Sequence, residues 1–133
     1  MEQRTNMDQP VDTFLQCKRI AVVGMSRSLT KWGNRGAAVI KRHGYKIFAI
    51  HPEAQEVDGE KCYPNLSSLP EPVDGVWMCI PPERGKEVLR EAAALGIRNA
   101  WLQPGAVTPE LEQLGQSLGL NMVAGLCILN YLD

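Results

Sequence analysis

The sequence predicts an α/β fold: a doubly wound, mainly parallel sheet of five to six strands with helices on both faces. Three observations carry the prediction. Short, largely apolar runs recur at residues 20–23, 46–50, 76–80 and 99–103. They do not alternate with polar residues, which marks strands covered on both faces, as in parallel sheets. Between them lie segments with helical periodicity and clear stop signals, and this alternation of strand and helix implies right-handed crossovers. Finally, the first run ends at Gly24 and enters a polar loop punctuated by glycines before a helix begins. Strand, turn and helix in that order open a doubly wound domain.

Each element follows from local signals. Residues 1–10 are polar, end at Pro10 and read as a flexible tail, with residues 11–133 forming one domain. Val11, Phe14 and Leu15 fall at helical spacing, which predicts a short helix over 11–17 covering the bottom or edge of the sheet. Strand one spans 19–24. The next helix runs from about Gly33 to His43, with Gly44 as its stop. Strand two, 46–50, ends at His51-Pro52. Gly59 marks a turn, and 61–63 form a very short third strand. Three prolines in 64–72 leave room for one helical turn at 66–69.

The second half repeats the pattern. Strand four, 76–80, is stopped by Pro81-Pro82, and a helix over 83–95 buries Val88, Leu89, Ala92, Ala93 and Leu95 before Gly96. Strand five, 99–103, closes at Pro104-Gly105. Thr108-Pro109 supplies a hydroxyl N-cap and a first-turn proline for a helix carrying Leu111, Leu114 and Leu118 on one face. Strand six is 120–124. The tail, 125–133, is mostly apolar, packs back on the domain and is a candidate homodimer surface.

Composition narrows the function. The 133 residues are 44% apolar and 22% charged, enough for a sizeable core. A net charge of −1 gives no bulk attraction to nucleic acid or to an acidic membrane. No apolar run approaches the roughly 20 residues of a membrane helix, and the N-terminus lacks a signal core. Cys17, Cys62, Cys79 and Cys127 are far apart with no C-x-x-C spacing, which fits reduced thiols in a cytoplasmic protein and no zinc framework.

Ligands of doubly wound sheets sit outside the carboxyl ends of the strands. The first exit, Gly24-Met25-Ser26-Arg27-Ser28, offers backbone amides ahead of a helix, with Lys31 and Arg35 close by. A helix N-terminus contributes only about 0.3–1 kcal/mol per nearby charge, so the added cations point to more than one phosphate. The spacing is not G-x-G-x-x-G, and His51-Pro52 stands at the second exit where a dinucleotide enzyme needs an acid, with Glu53 only beyond the strand. Both features argue against NAD. Ile80-Pro81-Pro82 forms a rigid apolar ledge suited to a long neutral arm, and Gln103 at the fifth exit offers an amide.

These residues carry a family resemblance. Ile20-Ala-Val-Val-Gly-Met-Ser-Arg27, Gly44-Tyr45, His51-Pro52, Gly59, Val73-Asp74, Ile80-Pro81-Pro82 and Ala100-Trp101-Leu-Gln-Pro-Gly105 resemble the small stand-alone CoA-binding proteins. Their domain is similar to the N-terminal CoA-binding domain of the succinyl-CoA synthetase alpha subunit. The resemblance runs from about Val11 to Cys127 and rests on order and spacing. It implies a Rossmann-like fold binding coenzyme A or an acyl-CoA. Gly24 to Ser28 would form the phosphate loop, His51-Pro52 would lie beside the adenosine, and Ile80-Pro81-Pro82 would line the pantetheine, with Trp101 to Gln103 near its far end. The pyrophosphate and 3′-phosphate of CoA would suit Arg27, Lys31 and Arg35. One departure is that Ala124-Gly125-Leu126 precede Cys127, where the family often has an acid and an arginine.

No catalytic set is visible. His43 and His51 end a helix and a strand, no nucleophile-elbow sequence occurs, and the phosphohistidine segment of the synthetase is absent. The expectation is therefore a sensing, carrier or regulatory module without catalysis. Two alternatives stay open: an NAD(P)-binding, oxidoreductase-like protein, and a protein-interaction domain that has lost its ligand.

Overall fold

In chain order, the computed structural model, which describes residues 8–26 and 32–132, places α1 at Asp8–Leu15, β1 at Arg19–Val23, α2 at Trp32–Arg42 and β2 at Lys46–Ile50. A short hairpin follows, β3 (Glu56–Val57) and β4 (Glu60–Tyr63), and then a 3-10 turn at Leu66–Ser68. The second half holds β5 (Gly75–Met78), α3 (Pro82–Ala94), β6 (Asn99–Leu102), α4 (Pro109–Ser117), β7 (Asn121–Ala124) and α5 (Leu129–Leu132). Among the described residues no helix is long and apolar enough to cross a membrane.

The sheet has seven strands in the order β3-β4-β2-β1-β5-β6-β7. All pairings are parallel except β3 with β4. The fold is thus Rossmann-like, with one strand more than the sequence predicts. The extra strand is two residues long, too short to leave a periodic signal. Its turn was legible: Asp58-Gly59 joins the partners Val57 and Glu60, both turn residues have positive φ (53° and 78°), and Asp-Gly is a strong two-residue hairpin signal.

Successive strand residues point to opposite faces, and each face has its own core. Ile20, Val22, Trp77, Trp101 and Val123 pack with Phe14 of α1, Ala37 and Ile40 of α2 and Leu132 of α5. Ala21, Val23, Val76, Met78 and Leu102 pack with Leu89 and Ala92 of α3 and Leu111 of α4. The helices therefore cover both faces. The C-terminal segment does pack back, burying Ile128 and Leu132. On α3, Leu89 and Ala92 are buried together with Gly85, and Val88 and Ala93 are half-buried against the same core; Leu95 is corrected, since it caps the helix and is 48% exposed.

At the lower end of the sheet, Asp74 fixes the start of β1. Its Oδ2 accepts from the backbone N–H groups of Lys18 (2.8 Å) and Arg19 (3.0 Å). The Arg19 N–H, then that of Lys18, holds this carboxyl below its ordinary value of 3.8. A carboxyl lowered on folding stabilises above its unfolded value and loses that contribution as pH falls below it. Asp74→Ala should cost about 1 kcal/mol at neutral pH, a charged hydrogen bond discounted for exposure. In thermal unfolding, the gap between wild type and variant should be full above about pH 5 and shrink below about pH 4.

Candidate functional site

Strand order reverses direction at β1, whose neighbours are β2 and β5, and such a switch point leaves a crevice at the strand exits. The chain beyond β1 is held there by close backbone packing. Gly24 has φ +132°, and a Cβ on it would overlap the carbonyl of Cys79. A Cβ on Gly33 would overlap the carbonyl of Gly24, and one on Gly36 the indole of Trp77. Gly24, Gly33 and Gly36 thus do, at wider spacing, what the fingerprint glycines do: a tight turn and close packing of helix on strand.

Asn34 adds a lock that the sequence reading missed. It is buried on α2, its Oδ1 accepts from Ser26 N–H (2.8 Å) and its Nδ2 donates to Ser26 C=O (2.9 Å). The Ser26 amide is therefore committed inside the protein and is not among those that can face a phosphate.

A cavity of about 980 Å³ opens above these residues, at the upper end of the range for small-molecule sites. One wall is Gly24, Met25 and Ser26 with Trp32 and Gly33 at the start of α2; another is His51, Pro52 and Glu53 beyond β2. The third is Cys79, Ile80 and Pro81 beyond β5, continued by Arg84, Glu87, Val88 and Glu91 along α3. Pro81, the N-cap, and Arg84 in the first turn bring the start of α3 to the cavity.

Several lining groups have defined roles. His51 Nδ1 accepts from the N–H groups of Glu53 (3.1 Å) and Ala54 (2.9 Å), which assigns the proton of the neutral ring to Nε2. The Glu91 carboxylate accepts from Leu66 N–H and Ser67 N–H, each at 3.1 Å, and ties the 3-10 turn to α3. Burial, then the neighbouring Cys127, pushes the Cys79 thiol up from its ordinary value of 9.0, so it stays protonated near neutrality.

Of the residues expected at the site, Gly24, Met25, Ser26, His51, Pro52, Ile80 and Pro81 line this cavity. Arg27, Ser28 and Lys31 lie outside the described residues. Pro82 is the first, half-buried residue of α3 and falls outside the lining. Arg35 is exposed and outside it, with its guanidinium 4.7 Å from the Trp32 ring centroid. Gln103 is not brought to the cavity. It is buried, its Oε1 accepts from Trp77 Nε1 (3.2 Å) and Ile128 N–H (2.8 Å), and its Nε2 donates to Cys127 Sγ (3.4 Å). Trp32, Glu53 and Arg84 were not anticipated. The α3 residues 84, 87, 88 and 91 stand at i, i+3, i+4 and i+7, a spacing that places them on one face.

A family model described as a CoA binding domain matches residues 18–133, and the chain belongs to that family. It is 32% identical over 98 residues to an ADP-forming acetate–CoA ligase II of Archaeoglobus fulgidus, covering 72% of this chain but only 15% of the ligase. It is 29% identical over 111 residues to YneT of Bacillus subtilis, an uncharacterised protein, covering 84% of this chain and 82% of that one. A solved structure of a conserved hypothetical protein from Pyrococcus furiosus is 32% identical, with a TM-score of 0.79 over 86% of this chain and 98% of the other.

Asn34→Ala would strip both backbone groups of Ser26 of their partner. Urea denaturation should show a loss of about 1–3 kcal/mol. A loss under about 0.5 kcal/mol would mean that the lock contributes little.

Proposed function

We propose that this domain binds coenzyme A, or an acyl-CoA, in the cavity between the exits of β1, β2 and β5, as a sensing, carrier or regulatory module. The observation that carries the reading is a cavity of about 980 Å³ at the switch point of a chain from the CoA-binding domain family. Its volume suits a nucleotide with a long arm. The phosphates would sit at the starts of α2 and α3, where the positive helix ends favour anions. Gly24 and Met25 would supply backbone, with Arg27, Ser28 and Lys31 beside them and Arg35 beyond. His51 Nε2–H and Pro52 would face the adenosine. Ile80 and Pro81, continued by Pro82, would run along the pantetheine.

Binding without catalysis agrees with the groups in the cavity. The Cys79 thiol is held protonated by burial, and Nδ1 of His51 is already engaged by two amides. Neither is arranged as an activated nucleophile or a base.

A second reading has one observation behind it. Glu53 lines the cavity just past β2, where an acid in a dinucleotide protein would take ribose hydroxyls. A thermal-shift panel of CoA, acetyl-CoA, dephospho-CoA, NAD and NADP separates the two. CoA at ~100 times its dissociation constant should add about 2.7 kcal/mol of stability, with a smaller shift for dephospho-CoA and the smallest for NAD. A shift with NAD and none with CoA would overturn the proposal in favour of the second reading.

A further inference from the structure

Trp32 is the first residue of α2 and lines the cavity, yet it is 57% exposed. The other two tryptophans are 1% and 0% exposed, and each donates its N–H inside the protein, Trp77 to Gln103 Oε1 and Trp101 to Leu126 C=O. Core packing therefore accounts for Trp77 and Trp101 but not for Trp32. The backbone beneath Trp32 is fixed all the same, because Gly33 rests on the Gly24 carbonyl and Asn34 is locked to Ser26. Arg35, one turn along, places its guanidinium 4.7 Å from the ring centroid, and Arg35 is outside the cavity lining while Trp32 is in it. An exposed indole that lines a cavity and is backed by a cation on a rigid helix start is a platform suited to a flat π ring.

We infer that Trp32 stacks against the purine base of the bound nucleotide and sets the preference of the site for ligands that carry one. The inference rests on the CoA reading for the identity of the ligand, and it adds the residue that recognises the base. Stacking accepts any base with a π face, so ADP should share the contact, whereas 4′-phosphopantetheine, which has phosphate and arm but no base, should not.

Calorimetric titration of wild type, Trp32→Ala and Trp32→Phe with CoA, ADP and 4′-phosphopantetheine tests this. Base stacking lost to alanine corresponds to roughly 5- to 150-fold in affinity. Trp32→Ala should weaken CoA and ADP within that range and leave 4′-phosphopantetheine unchanged, and Trp32→Phe should keep most of the affinity. A second readout needs no variant: iodide reaches only an exposed indole, so CoA should protect wild-type fluorescence from iodide and 4′-phosphopantetheine should not. Equal losses for all three ligands, or CoA affinity and iodide quenching that do not change, would overturn the inference while the CoA reading stands. A wild type that binds neither CoA nor ADP would overturn both.

Discussion

Everything at the upper end of this sheet depends on the near contact between the chain leaving β1 and the first turn of α2. No side chain fits between them, since a Cβ at Gly33 would overlap the Gly24 carbonyl; a Cβ at Gly24 would likewise overlap the Cys79 carbonyl beyond β5. The contact is then pinned by paired hydrogen bonds between Asn34 and the Ser26 backbone. With helix and strand drawn this close, the start of α2 is set at the strand exits. The cavity opens above them, lined by Gly24, Met25 and Ser26 on one side and Cys79, Ile80 and Pro81 on another.

The lower end and the C-terminus keep that corner in place. Asp74 clamps the start of β1 through two amides, and Glu71 reaches both Arg19 (2.8 Å) and Lys46 (2.5 Å) across the edge of β1 and β2. These pairs are exposed and contribute little alone. Gln103 performs the matching task inside. By bonding Trp77, Ile128 and Cys127 it ties β5, β6 and the C-terminal segment together, and Trp101 adds edge-on contacts with Phe14 (5.4 Å) and Tyr131 (5.6 Å). Trp77 in turn is the floor on which Gly36 of α2 rests. The core and the site share residues, so changes in one reach the other.

The sequence made the fold legible where burial on both faces wrote itself as runs of apolar residues. Ile20 to Val23 and Val76 to Met78 sit in the middle of the sheet with helices above and below, and nothing polar interrupts them. Glu56–Val57 was not legible as a strand because two residues carry no period, although its Asp-Gly turn was. The cavity at the strand exits was legible because a doubly wound sheet opens a crevice at its switch point. Gln103 misled for an instructive reason. An amide at a strand exit looks the same in sequence whether it points to a ligand or to the protein's own Trp77 and Ile128. Trp32 and Arg84 were missed because helix patterns were read for their buried face, and these residues lie on the other one. Asn34, a polar residue inside an apolar helix face, was the signal that could have disclosed the lock on Ser26.

The central claim is that the corner built by Gly24, Gly33 and the start of α3 is the seat of a phosphorylated adenosine with a slender arm. A crystal structure of the protein grown with CoA measures this most directly. The account predicts the pyrophosphate at the starts of α2 and α3 and the arm along Ile80 and Pro81. A structure with CoA bound elsewhere, and this corner filled by the protein's own side chains, would contradict it.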